Sequence, residues 1–128
     1  MHRSRIGVVL VDHPEDRWGD ALAFWAGVQG VTPAGEDEGA GEYRTLGTLG
    51  SVHLASQRTG TGTPPRVHLD IETDDVAAEV SRVVGLGATV LEAREEHTIL
   101  LDPAGVVFCV VPVQTGEDFE REALTWDD

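Results

Sequence analysis

Apolar and polar positions alternate strictly in RVHLDIET, residues 66–73, with Val67, Leu69 and Ile71 on one side and His68, Asp70 and Glu72 on the other. A period of two predicts a half-covered strand. The period then changes. In DDVAAEVSRVVGLGA, Val76, Val80, Val83 and Val84 fall on one helical stripe. Asp74 and Asp75 precede it, where the helix dipole favours acid, and Gly87 stands where the helix should end. ATVLEA, HTILL and VVFCVVP predict three further strands. The last two are joined by DPAG, in which Pro103 presets one turn dihedral and Gly105 can take a positive φ. The predicted order is strand, helix, strand, strand, strand.

The first half repeats this order. IGVVLVD reads as a strand, and DRWGDALAFWAGVQG as a helix with Trp18, Ala21, Leu22, Trp25 and Val28 facing inward and Gly30 ending it. GVTPA starts a second strand; EYRTLG and SVHLASQR are the third and fourth, joined near residues 48–50. Two such units start roughly 60 residues apart, an internal repeat of supersecondary structure. Module one covers about 5–58, TGTGTPP at 59–65 is a linker, module two covers about 66–112, and 113–128 is a C-terminal tail. GEDEGAGE, 35–42, reads as an exposed acidic loop. The tail predicts a short amphipathic helix carrying Phe119, Leu124 and Trp126, packed on the body or on a partner subunit, since those side chains are poorly placed in water.

Composition narrows the chemistry. At 128 residues a single domain with a real core is expected. All nine basic residues are arginine. Without lysine there is no Schiff base and no Walker-type phosphate loop. A single Cys109 excludes an internal disulfide and a cysteine-rich zinc module. A net charge of −14 repels nucleic acid and anionic membrane; it serves solubility or attracts a cationic ligand. The apolar runs IGVVLV and VVFCVVPV are far shorter than the roughly 18 residues of a membrane span. The first of them is too short for a signal-peptide core and meets Asp12 at once, so a cytoplasmic protein is expected.

The tandem of βαβββ units, with HLDIETDD opening the second and DPAGVVFCVVP closing it, resembles the vicinal-oxygen-chelate superfamily. Its glyoxalase-like branch, the glyoxalase, bleomycin-resistance and dioxygenase fold, is the nearest likeness. VVLVDHPED, the FW helix and LASQR of the first half agree with that branch, and the resemblance covers about residues 5–112. It implies an α+β fold: two βαβββ modules side by side whose strands form a curved half-barrel around a cavity, with helices outside. Val67, Leu69 and Ile71 would then face the helix layer, and His68, Asp70 and Glu72 the cavity.

Metal-bearing members of the superfamily draw four ligands from the opening and closing strands of both modules, His or Gln from the openers and Glu from the closers. Matched residue by residue, His68 fits. Cys109 stands where many relatives have Glu, IGVVLV offers no ligand type, and SVHLASQ places His53 and Gln57 on one face, so His53 is a further candidate. The expectation is that the usual family metal site is missing. A divalent metal (Zn, Fe, Mn or Ni) is the alternative, including a soft zinc set of His53, His68 and Cys109.

His68 and Asp70 share one strand face and form a candidate acid–base pair for proton abstraction beside a carbonyl. His53, Gln57, His68, Asp70, His97 and Cys109 are the candidate ligand contacts. Trp18 and Trp25 sit at helical spacing and belong to the core; His13 is assigned to an exposed loop, and Glu72 to a solvated strand end. No serine has a nucleophile-elbow setting. Two functions follow. One is a small-molecule-binding protein without the family metal, sequestering a cationic compound as antibiotic-binding relatives do. The other is a lyase, isomerase or dioxygenase-like enzyme using His68 and Asp70, with or without a metal. The resemblance and the exposed edges of a half-open sheet imply a homodimer.

Overall fold

The computed structural model describes residues 1–34 and 42–128. Among these residues eight strands and three helices follow in chain order: β1 (His2–Pro14), α1 (Trp18–Gln29), β2 (Tyr43–Leu49), β3 (Val52–Thr59), β4 (Arg66–Thr73), α2 (Val76–Gly85), β5 (Thr89–Ala93), β6 (Thr98–Leu101), β7 (Val107–Pro112), α3 (Glu117–Glu122) and β8 (Leu124–Trp126). Parallel and antiparallel pairings are mixed, and the fold is α+β as expected. The chain forms two compact units: Met1–Val8 with His68–Asp128, and Val9–Val67. No helix among the described residues is long and apolar enough to cross a membrane.

In the first unit the strand order is β8-β1-β4-β7-β6-β5. β4 spans the eight residues of the alternating run and pairs parallel with β7, Asp70 opposite Cys109. The parallel pairing requires a crossover, and helix α2 begins it. Asp75 caps that helix, its side chain accepting from the Ala78 N–H at 3.0 Å, and Gly87 at φ 119° turns the chain out of it. Val83 packs with Leu100 and Val110, and Ile71, Val76 and Val80 close round them. Val84 falls at the edge of the stripe and is exposed. In the DPAG turn Asp102 accepts from the Ala104 and Val106 N–H groups at 2.8 and 2.9 Å, which fixes the β6–β7 hairpin.

In the second unit the order is β1-β3-β2. Helix α1 buries Leu22 and Ala26 against Leu46 and Leu54, with Trp18 and Trp25 packed on that cluster. Val28, expected inside, is exposed; the 3.6-residue period carries the buried stripe through Ala26 instead. Of the second strand expected to start at GVTPA, the described residues hold a single bridge, Ala34 to Thr45. Pro33 has no N–H to extend it. The acidic loop lies, apart from Glu42, outside the described residues.

Both chain ends are built into the first unit. β1 starts four residues before the apolar run, because His2 and Ser4 are buried and β8 pairs with them, His2 opposite Trp126 and Ser4 opposite Leu124. The His2 imidazole donates to Glu79 at 2.8 Å and to Asp128 at 2.6 Å. Glu79 also accepts twice from Arg82, each at 2.8 Å, and Arg82 lies 3.8 Å over the Trp126 ring. The tail therefore packs rather than dangles. Phe119 on α3 is fully buried, whereas Leu124 stays exposed.

Candidate functional site

β4 has two faces, and the polar one is the better buried. His68 and Asp70 are each 6% exposed and Glu72 is wholly buried, while Val67 is 57% exposed. The expected facing is right for Ile71, which meets the α2 cluster, and wrong for Val67, which meets solvent. Glu72, expected at a wet strand end, is the most thoroughly bonded side chain of the face. It accepts from Arg5 Nε at 2.8 Å, from the N–H groups of Gln114 and Thr115 at 2.8 and 2.9 Å, and from the Thr115 hydroxyl. Burial pushes its carboxyl up, but the hydrogen bonds from Thr115, Arg5 and the Gln114 backbone outweigh that and hold it below the ordinary carboxylate range.

Asp70, two residues earlier on the same face, is held differently. Its polar contact is His68, Nε2 to Oδ1 at 3.5 Å. Alternate strand residues are spaced about 7 Å along the backbone, so the two side chains lean together. The contact is still longer than the roughly 2.7–2.9 Å of a strong charge-assisted bond. A carboxylate has about four acceptor positions. Asp70 is therefore a nearly buried anion with acceptor capacity left over, beside a neighbour on the same strand that is saturated.

The parallel register brings a third group in. Cys109 lies opposite Asp70 on β7, and the donor atoms of His68, Asp70 and Cys109 all fall within 4.8 Å of one another. Among the described residues this is the one such group of three or more His, Cys, Asp or Glu side chains. The same-face spacing of His68 and Asp70 was the signal for two of the three; the pairing of Asp70 with Cys109 needed the register.

The remaining candidates lie elsewhere in the chain. His53 is half-buried on β3, opposite Thr48. Gln57, on the same strand, donates to the Tyr43 hydroxyl at 2.9 Å. His97 precedes β6, half-buried, and its carbonyl accepts from the Arg94 N–H at 2.8 Å. His13, assigned to an exposed loop, instead lies within β1 and is half-buried.

Two of the cavities among the described residues have linings that do not include His68, Asp70 or Cys109. One of about 200 Å³ lies on the apolar side of β4, against Leu69, Ile71, Val106 and Phe108. One of about 420 Å³ lies in the second unit against α1.

Residues 9–111 match the family described as glyoxalase-like domain. No curated protein matches the sequence. Among the solved structures similar in fold are three with substantial overlap. A hypothetical protein from Bacillus halodurans is 13% identical, with a TM-score of 0.64 over 87% of this chain and 95% of that one. An NAD-dependent benzaldehyde dehydrogenase from Legionella pneumophila is 8% identical, with a TM-score of 0.62 over 84% and 98%. The 2,2',3-trihydroxybiphenyl 1,2-dioxygenase from Sphingomonas wittichii is 14% identical, with a TM-score of 0.56 over 88% of this chain but 41% of that one. Identities this low speak to architecture, and chemistry does not travel with architecture. The repeat of strand and helix, the parallel β4–β7 pair and the match across 9–111 agree: the chain belongs to the glyoxalase-like domain family, within the vicinal-oxygen-chelate superfamily.

Proposed function

We propose that this protein binds a small molecule that brings a positive charge or hydrogen-bond donors to Asp70, without the four-ligand metal site of metal-bearing superfamily members. One observation carries the reading: Asp70 is a nearly buried carboxylate whose polar contact is a single 3.5 Å approach by His68. A buried anion held this loosely is costly, and a ligand that completes its shell offsets the cost. The net charge of −14 favours a cationic ligand over an anionic one. A reducing cytoplasm suits Cys109, which is in no disulfide, and the homodimer implied by the resemblance belongs to the same proposal.

The His68–Asp70 contact favours a second reading, acid–base catalysis, in which His68 takes a proton from a carbon next to a carbonyl and Asp70 orients the imidazole. A metal is less well served. His68, Asp70 and Cys109 suit zinc in kind and would leave a fourth position open, where the ion would polarise a bound oxygen. His68 Nε2 and Asp70 Oδ1, 3.5 Å apart, stand at about the ligand separation of a tetrahedral zinc site, but the cluster supplies only three donors, one of them a cysteine where metal-bearing members use Glu. β1 offers no ligand type in its apolar run.

Metal analysis of the purified protein, followed by thermal-shift titration with benzyltrimethylammonium and with phenylpyruvate, separates the readings. The proposal expects no stoichiometric metal, and stabilisation by the ammonium probe that rises with its concentration and disappears in Asp70→Asn. Stoichiometric zinc that is lost in His68→Ala would overturn it. Stabilisation by phenylpyruvate alone, with turnover abolished in His68→Ala, would replace it with the enzyme reading. Sedimentation at micromolar concentration tests the dimer.

A further inference from the structure

The cavity against α1 is independent of the His68 cluster, and its lining is chemically specific. We propose that it is a second small-molecule site, which takes a zwitterionic aromatic compound of the α-amino-acid kind.

Its volume, about 420 Å³, lies within the range of about 300–1,000 Å³ usual for small-ligand sites. One wall is aromatic. Phe24 and Trp25 meet edge to face, with ring centroids 5.1 Å apart, and Pro65 faces the same space. Phe24 is 61% exposed, a large apolar surface left in water by a helix that buries Leu22 and Ala26 on its other side. A flat ring seated on Phe24 and Trp25 removes that surface from water.

The rim carries one charge of each sign. Arg17 and Asp20 both line the cavity and stand three residues apart, Arg17 at the N-cap of α1 and Asp20 in its first turn. This protein closes two other pairs of that spacing, Glu79 with Arg82 and Asp118 with Arg121. In both, the acid precedes the base, which is the favoured order. Arg17 and Asp20 stand in the reverse order, and neither has an ion-pair partner among the described residues. Two unpaired opposite charges on the rim of one cavity match a ligand that holds a carboxylate and an ammonium on one carbon. The carboxylate would take the Arg17 fork, and the ammonium Asp20. A third group points the same way. The Nδ1 atom of His13, which also lines the cavity, is buried without a hydrogen-bond partner. Such an atom carries an unrepaid desolvation cost unless a ligand polar group meets it.

Titration of the full chain with L-tryptophan and L-phenylalanine, followed by ¹⁵N chemical shifts, tests the site. Saturable one-site binding is expected, with shifts centred on residues 13–25 and Pro65's neighbours. Indole-3-acetate lacks the ammonium and tryptamine lacks the carboxylate; each is expected to bind about tenfold or more weakly than tryptophan. Arg17→Gln and Phe24→Ser alter exposed positions, so folding can be verified by circular dichroism, and each is expected to weaken tryptophan about tenfold. The proposal is overturned if neither amino acid saturates at millimolar concentration, if either single-charge analogue binds as tightly as tryptophan, if folded Arg17→Gln binds normally, or if the shifts centre on β4 and β7.

Discussion

His2 and Glu79 stand 77 positions apart and meet at 2.8 Å with both side chains wholly buried. The imidazole is held between two carboxylates, Glu79 on one nitrogen and Asp128 on the other, so both nitrogens donate when it is protonated. Burial lowers its pKa, but the hydrogen bonds to Glu79 and Asp128 outweigh that and raise it above the ordinary 6.5. Burial likewise pushes Glu79 up, and the bonds from Arg82, His2 and Ser4 bring it below 4.5. The signs are opposite. The contribution of His2 is full below its unfolded value and lost as pH rises through the raised folded value; that of Glu79 is full above its unfolded value and lost as pH falls through the depressed one. The contacts joining the first residues, α2 and the last residues therefore hold best between those two limits. Stability measured by urea unfolding should fall on the alkaline side as His2 deprotonates. His2→Ala should cost about 2–3 kcal/mol at neutral pH and flatten that alkaline limb. An unchanged alkaline limb in the variant would show that another group drives it.

Gly7 lies against the Glu72 side chain so closely that a Cβ there would enter the space of its carboxylate. Glu72 cannot step aside cheaply, because four donors hold it in place. Gly7→Ala is expected to destabilise by about 2–3 kcal/mol. Glu72→Ala removes the carboxylate that meets Arg5, whose side chain is 7% exposed, and frees the 114–115 segment; about 3–5 kcal/mol should be lost. The double variant should lose less than the sum, since removing the carboxylate also removes the clash. A double-mutant cycle in urea reads this directly, and strict additivity would show that the two groups do not meet.

Asp75→Ala should cost about 1 kcal/mol, because the side chain holds the Ala78 N–H at the start of α2 and no other side chain replaces it there. Asp75→Asn should retain most of that, since the amide oxygen can accept the same bond. Equal losses in both variants, measured by thermal unfolding, would assign the effect to charge rather than to the cap.

Local pattern carried much of the fold. β4 was legible to the residue because alternation, a following acidic cap and a change of period all occur within fifteen positions. Long-range pairing was not legible. HRSR reads as a short basic lead, yet His2 and Ser4 are buried because β8, at the other end of the chain, lies beside them. Glu72 reads as a wet strand end because nothing nearby hints that Gln114 and Thr115 will cover it. The candidate site divides the same way. The pairing of His68 with Asp70 is visible in their spacing. The nearness of Cys109 depends on a parallel register that no local signal fixes. The α1 cavity was illegible for a related reason: Arg17 and Asp20 look like ordinary helix-surface charges until the structure shows that they are not joined to each other.

Asp70 offers the sharpest contrast between stability and function. A carboxylate at 6% exposure with a single 3.5 Å contact bears a desolvation cost that its surroundings do not repay. Asn is nearly the same size and carries no charge, so Asp70→Asn should leave the folded state as stable as before or raise its melting temperature by a few degrees, on the order of 1 kcal/mol. Glu72→Gln is the control on the same face. Its carboxylate is fully bonded, and the amide would turn an NH₂ toward donors, so that variant should lose stability. Opposite signs for the two substitutions, measured by thermal unfolding without ligand, mark Asp70 as a group kept for a ligand rather than for the fold. A loss of 2 kcal/mol or more in Asp70→Asn, of the order seen for breaking a satisfied buried pair, would instead make the His68–Asp70 contact structural and remove the observation on which ligand binding at this site rests.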